Sequence, residues 1–474
     1  MLHWDMATQM PAGGAEARSE QVATLKLVCH EIIADPSMPD LLSGAEAQND
    51  LDPWQRANLV EMRRSWLHAS ALPGDLVEAL SKASSTCEMV WRQARPNSDF
   101  AAVLPALREL LTLVQCVATL KAERLGVSPY DALLDQYEPG GSSAAIDAIF
   151  EPFARVLPGL IDDALVLQGR SRKPVAPEGP FPVEIQRQAA IKLMERIGFD
   201  FDHGRLDISL HPFCGGTPDD VRITTRYDTD DFRGALMGVL HETGHALYER
   251  GLPLAWRRQP VGHARGMSLH ESQSLLVEMQ VCRSRDFMEF AAPILRDTFG
   301  RRGPEWDADN LYRLGTQVER SLIRVDADEV TYPAHVILRY RLERALLAGD
   351  LKLEDLPEAW DEAMHELVGI VPPDDRQGCL QDIHWYDGAF GYFPTYTLGA
   401  MTAAQLFDAA KRADPAIAPG IAKGEFAPLL GWLRTNVHGQ ASRHSTAEII
   451  TAATGRKLDS AVFERHLRAR YLAA

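Results

Sequence analysis

Residues 232–251 read FRGALMGVLHETGHALYERG. The apolar members Phe232, Leu236, Val239, Leu240 and Leu247 fit one helix, which is expected to stop near Gly251-Leu252-Pro253. On such a helix His241 and His245, at i and i+4, share a face. That spacing lets both imidazoles reach one tetrahedral Zn²⁺ at about 2.0–2.1 Å, and it places Glu242 to take a proton from a zinc-bound water. The plain alternative is a helix with two surface histidines. Gly234, Gly238 and Gly244 each cost the helix roughly 1 kcal/mol relative to alanine, so a neighbouring backbone or a substrate is expected to approach closely there.

A catalytic zinc site needs a third protein ligand. The pattern H-E-x-x-H-x-x-G-x-x-H is excluded, because Tyr248 and Gly251 stand where its glycine and third histidine would be. Ser268-Leu269-His270-Glu271 opens the next apolar helix, which can lie antiparallel to the first, and Glu271 is the nearest well-placed carboxylate. Ser268 and Glu271 also read as an S-x-x-E capping box, and Glu278 and His263 compete for the ligand position.

Before this helix lies the one convincing strand signal. Leu206, Ile208 and Leu210 alternate with polar residues, and after a Gly215-Gly216 turn Val221 to Tyr227 alternate likewise, so one small sheet is expected. From Ala15 to about Gly169 helix-period segments are separated by breakers such as Pro73-Gly74-Asp75, Pro96-Asn97-Ser98 and Pro139-Gly140-Gly141. Leu104, Leu107, Leu111, Val114 and Val117 keep one apolar face. Arg170 to Pro182, with four prolines, reads as a loop and a joint, and Glu184 to Ile197 returns to helix. The fold class is therefore mainly α: a large multi-helix fold with a deep cleft and one small sheet beside the histidine helix. Residues 1–474 are read as a single catalytic unit, with 1–169 a helical scaffold half and 170–474 the half carrying sheet, metal site and cleft.

With 49 Lys and Arg against 66 Asp and Glu the net charge is −17, which disfavours a phosphate-backbone partner. The six cysteines are widely spaced without a C-x-x-C pair, and read as reduced, mostly buried thiols. No signal peptide or uninterrupted apolar run of about 18 residues is seen, so the expectation is a cytoplasmic protein without a membrane partner.

Several separate motifs resemble those of the carboxypeptidase Taq family of metallocarboxypeptidases. Beside His241-Glu242-x-x-His245 stand Asp220-x-Arg222-x-Thr224 and His270-Glu271-Ser272-Gln273. Further on come Ile323-Arg324-x-x-Ala327-Asp328 and Gly378-x-x-Gln381-Asp382-x-His384-Trp385. The opening, Leu2-His3-Trp4-Asp5 through Met10-Pro11, is also similar, but in the family an additional N-terminal helix usually precedes it. A downstream start codon or a missing leading helix is the corresponding expectation. The resemblance implies that His241, His245 and Glu271 are the metal ligands and that Glu242 activates the metal-bound water. It further implies a cytoplasmic homodimer that accepts Co²⁺ as well as Zn²⁺, removes C-terminal residues one at a time with broad specificity, and disfavours a C-terminal proline.

Exopeptidase action needs a group that recognises a free C-terminal carboxylate, and a guanidinium does so bidentately. Arg324 is the first candidate and Arg222 the second; otherwise they pair with Asp328 and Asp220. His384, Tyr392 and Tyr396 sit in a run too glycine-rich for a helix and too aromatic for a linker, and any of them can donate to an oxyanion or line the cleft. The small sheet can take an extended substrate as a further strand, and His211 and Asp220 are candidates for orienting the ligands. The rival readings are an oligopeptidase or dipeptidyl carboxypeptidase on a similar scaffold, and a catalytically silent metal- or peptide-binding protein. The size of the released fragment separates the first, and the retention of Glu242 argues against the second.

Overall fold

The predicted scaffold segments form helix α1 (Phe100–Leu125) and helix α2 (Ser143–Arg170) in a computed structural model that describes residues 1–209 and 211–472. Asp99 caps α1 by accepting the Ala102 N–H, and Gly126 ends it in the left-handed region. Helix α1 is long and apolar enough to cross a membrane by length and composition. In the fold its face of Val103, Leu107, Leu110, Val114 and Val117 is buried in the protein core. The proline-rich segment after Arg170 is irregular as expected, and a helix resumes over Val183–Ile197.

The sheet has three strands, β1 (Gly204–Ile208), β2 (Cys214–Thr217) and β3 (Asp220–Thr225), in the order β1-β3-β2. Strand β1 runs parallel to β3 with Leu206 beside Ile223, and β2 runs antiparallel with Cys214 beside the same residue. Two details differ from the sequence reading. Gly215 and Gly216 lie within β2, and the reversal falls at Pro218-Asp219. Gly216 has φ +109°, and a Cβ there would stand 2.0 Å from the Asp220 carbonyl, so only glycine passes so close to the turn. Strand β3 ends at Thr225 rather than Tyr227, and Leu210 lies outside the described residues.

Strand β3 packs on helix α3 (Phe232–Gly251), whose Phe232, Leu236, Val239, Leu240 and Leu247 are all buried as the periodicity demands. Helix α4 (Met267–Leu275) follows and widens into a π-helical segment, Leu276–Cys282. Arg470 donates to the carbonyls of Met279 and Gln280 in that segment, and also to the fully buried Glu329, at 2.9 Å. Glu329 accepts further bonds from Gln280 at 2.8 Å and from the Tyr471 hydroxyl at 3.0 Å.

Helix α5 (Tyr332–Ala348) begins at Tyr332-Pro333, with proline in the first turn where its missing N–H costs nothing. Helix α6 (Pro394–Ala413) lies along α4. It corrects the reading of the glycine- and aromatic-rich run: His384–Asp387 form one 3₁₀ turn, but from Pro394 onward the chain is helical and includes Tyr396 and Gly399. The cysteines are all unpaired; Cys87, Cys282 and Cys379 are buried, whereas Cys29 and Cys116 are exposed, so fewer are buried than expected. One continuous apolar cluster runs from Ala83 to Tyr471 and joins both halves of the chain.

Candidate active site

Successive contacts of α3 with α4 and its π-helical continuation pair Glu249 with His270, His245 with Glu271, and His241 with Glu278. Rising numbers on one helix meet falling numbers on the other, so the two helices are antiparallel. Their closeness depends on Gly244, where a Cβ would fall 2.4 Å from the Gln273 carbonyl oxygen. Gly234 and Gly238 have nothing within 4 Å of such a Cβ and line the cleft instead.

The antiparallel pair brings Nε2 of His245 to 3.4 Å and Nε2 of His241 to 3.8 Å from Oε2 of Glu271. The three donor atoms lie within 4.8 Å of one another. Two imidazole nitrogens and one carboxylate converging in this way fit a divalent ion of the zinc type. The only other side chain bonded to the Glu271 carboxylate among the described residues is Ser274, at 3.3 Å.

The expected capping box does not form. Gly266 is the N-cap of α4, Ser268 lies inside the first turn, and Oε2 of Glu138 accepts the Ser268 N–H at 3.1 Å. Glu271 is thereby left to face the histidines. Glu278 is not in the converging group; it takes Nδ1 of His241 at 3.0 Å and Arg283 at 2.7 Å, so it orients the His241 ring. His263 is exposed and stands apart from the cleft. His211 is exposed and Asp220 is committed to Arg222, so neither orients a ligand.

Burial raises the Glu242 carboxyl to about 7 against the opposing pull of His241. His245 is lowered to about 4 by burial, which keeps its imidazole neutral, as a ligand must be. Burial alone would raise Glu271, but His241, His245 and His270 outweigh it and hold the carboxyl near about 2. Burial would likewise lower His241, yet Glu271, Glu278 and Glu242 bring it up to about 10. The negative charge that holds that proton is equally available to a divalent cation.

The triad opens on a cleft of about 950 Å³ lined also by Glu242, Arg324, Tyr332, Tyr392 and Tyr396. Arg324 is 6% exposed and pairs with Asp382 at 2.9 Å, rather than with Asp328. Its guanidinium lies 4.6 Å over the Tyr396 ring, and its backbone N–H donates to Gln381 at 2.9 Å. Among the described residues its Nη1 has no hydrogen-bond partner. Asp328 instead accepts the backbone N–H groups of Glu319, Val330 and Thr331 and so shapes the loop. Arg222 holds Asp220 with both Nε and Nη2, at 2.8 and 2.7 Å, and lies over Trp4 outside the cleft lining.

His384 stands behind the cleft wall, with Nε2 3.0 Å from the Tyr396 hydroxyl. Burial pushes the Tyr396 phenol up to about 12 and those of Tyr392 and Tyr332 well above their ordinary value, so all three remain neutral donors. Tyr332, Asp382, Arg283, Glu249 and His270 escaped assignment from sequence. Asp382 and His270 lay inside motifs already singled out, beside residues that were chosen; nothing in the sequence marked Tyr332.

A His-Glu-x-x-His helix whose two imidazoles converge with a carboxylate of the next helix, set in a mainly helical cleft, is the arrangement of a metallopeptidase. A sequence profile of the carboxypeptidase Taq (M32) metallopeptidases matches residues 1–471, and the chain belongs to that family. It is 39% identical to thermostable carboxypeptidase 1 of Thermus thermophilus over 99% of this chain and 94% of that one. Metallocarboxypeptidase 1 of Trypanosoma cruzi superimposes with a TM-score of 0.97 at 42% identity, covering 100% of this chain and 95% of that one. The M32 carboxypeptidase of Deinococcus radiodurans superimposes with a TM-score of 0.93 at 36% identity, over 99% and 94% of the two chains. The protein is thus a metal-dependent carboxypeptidase acting on peptides, as the fold and motifs led one to expect.

Proposed function

We propose that His241, His245 and Glu271 hold the catalytic ion, that Glu242 is the general base, and that Arg324 receives the substrate's free C-terminal carboxylate. The observation that carries this reading is the convergence of the two histidines and Glu271 in one cleft with Glu242 and Arg324. Zinc suits the two-imidazole, one-carboxylate set, and cobalt is an alternative of similar preference. When bound, such an ion polarises a carbonyl and acidifies water.

Glu242 takes the proton of the attacking water and passes it to the leaving amine, a task suited to a carboxyl that burial has brought to about 7. Tyr392 and Tyr396 donate to the oxyanion, and His384 steadies the Tyr396 hydroxyl from behind. Arg324 spends one edge on Asp382 and offers the other to the carboxylate, which confines cleavage to the last peptide bond. Strand β3 is paired on both sides, whereas β2 is a sheet edge and its Cys214 lines the cleft. An extended peptide therefore lies along β2, and main-chain bonds of that kind support broad specificity. The family resemblance supports a cytoplasmic homodimer, and the acidic composition argues against a nucleic-acid partner.

The test is a mass-spectrometric time course on a free-carboxylate peptide and its C-terminal amide, using metal-loaded wild type and Glu242→Gln. A ladder losing one residue per step from the free acid only, and lost in the variant, is expected. Two-residue or internal cuts would move the assignment to a dipeptidyl carboxypeptidase or an oligopeptidase.

A further inference from the structure

His245 faces Oε2 of Glu271 with Nε2, so its donor to the ion is Nε2 and its proton sits on Nδ1. That Nδ1 is 2.7 Å from Nδ1 of His270, and the two rings lie 4.6 Å apart with their planes at 35°. Two ring nitrogens at this distance share one hydrogen, so Nδ1 of His270 must be the acceptor. His270 then carries its own proton on Nε2, which stands 2.8 Å from Oε1 of Glu249. With Nε2 of His245 reserved for the ion, one distribution of protons satisfies the remaining contacts: His245 donates to His270, and His270 donates to Glu249. By contrast, the other ligand, His241, reaches a carboxylate directly through Glu278.

We propose that Glu249 and His270 form a relay that fixes the tautomer and ring plane of His245, making His270 a positioning residue for the metal centre. The inference rests on the ligand assignment made above. Glu249 lies one turn beyond His245 on α3, while His270 projects from α4, so the relay also ties together the two helices that supply the ligands. Ligating histidines are commonly held in this way by a carboxylate or carbonyl; an imidazole interposed before the carboxylate is particular to this contact.

The test measures zinc affinity by chelator competition for wild type, His270→Leu, His270→Asn, His270→Gln, Glu249→Leu and His245→Ala. Apo-state melting temperatures and the visible spectrum of the cobalt-loaded forms are recorded alongside. Losing the acceptor in His270→Leu is expected to weaken zinc roughly 10- to 100-fold and to alter the cobalt spectrum. Asparagine can place an oxygen where Nδ1 of His270 stands and is expected to restore most of the affinity, whereas glutamine reaches only toward Glu249 and is not. Zinc affinity in a folded His270→Leu equal to wild type, or Asn and Gln variants that bind alike, would overturn the relay. Should the leucine variant not fold, the Asn and Gln pair decides alone. If His245→Ala binds zinc as tightly as wild type, the ligand assignment fails instead.

Discussion

Glu138, in the turn before α2, accepts the N–H of Ser268, a residue 130 positions further along the chain. The first turn of α4, which carries Glu271, is therefore capped from the scaffold half and not from its own sequence. The same buried carboxylate takes the Thr446 hydroxyl, so three distant segments meet at the root of α4.

Glu138→Ala leaves the Ser268 N–H without its acceptor in a buried place, at a cost of about 1–3 kcal/mol. A lower melting temperature together with weaker zinc binding is expected, and Glu138→Gln, which keeps an acceptor oxygen, should lose less of both. Thermal melts with and without zinc check this; unchanged zinc affinity in the alanine variant would separate the cap from the site.

Arg324→Ala should raise KM and lower kcat/KM for free-acid peptides by about 10- to 100-fold, the worth of one charge-assisted contact, and change amide substrates little. Arg222→Ala, which removes only the Asp220 pair and the Trp4 contact, should leave both substrates nearly unaffected. Steady-state kinetics on matched acid and amide pairs give the answer, and equal losses on both would remove Arg324 from the carboxylate site.

Gly399 on α6 allows this helix to press against Glu271. A Cβ there would stand 2.8 Å from both Cβ and Cγ of Glu271 and 3.2 Å from the Ser268 carbonyl oxygen. Gly399→Ala should destabilise by about 1–3 kcal/mol through overpacking and push Glu271 off line, so zinc affinity falls as well. Metal titration and melting of the same variant test both effects.

Glu343 is fully buried between the Tyr130 hydroxyl and the Trp385 N–H, and burial raises its carboxyl to about 7. The folded state thus holds a proton that the unfolded chain releases near its ordinary value of 4.5. Its contribution to stability is complete below about 4.5 and is lost as pH rises through about 7. Glu343→Gln mimics the protonated form, so relative to wild type it should gain up to about 3 kcal/mol between pH 4.5 and pH 8. Melting temperatures of both proteins across that range check the sign.

Sequence reading found α3 and its two histidines because periodicity and spacing are local properties of one helix. It left Glu271 open because S-x-x-E also reads as a cap, and Glu138, which takes the Ser268 N–H in its place, is distant in sequence. Tyr396 was placed in a non-helical run because glycine content was weighed against a helix, yet Pro394 is well suited to begin one. The pairing of Arg222 with Asp220 was legible as a near neighbour, whereas Asp382 as the partner of Arg324 required the fold. The relay through His270 depends on how two helices are juxtaposed, which no single-helix pattern contains.

Arg470 closes the carbonyls of Met279 and Gln280 across about 190 residues of intervening chain. Contacts of such sequence separation form late, because long loops must close before they are rewarded. Helices α3 and α4 can therefore exist in a refolding chain before the π-helical segment that presents Glu278 to His241 is fastened. Recovery of peptidase activity should therefore lag behind recovery of helical signal when both are followed through one refolding time course.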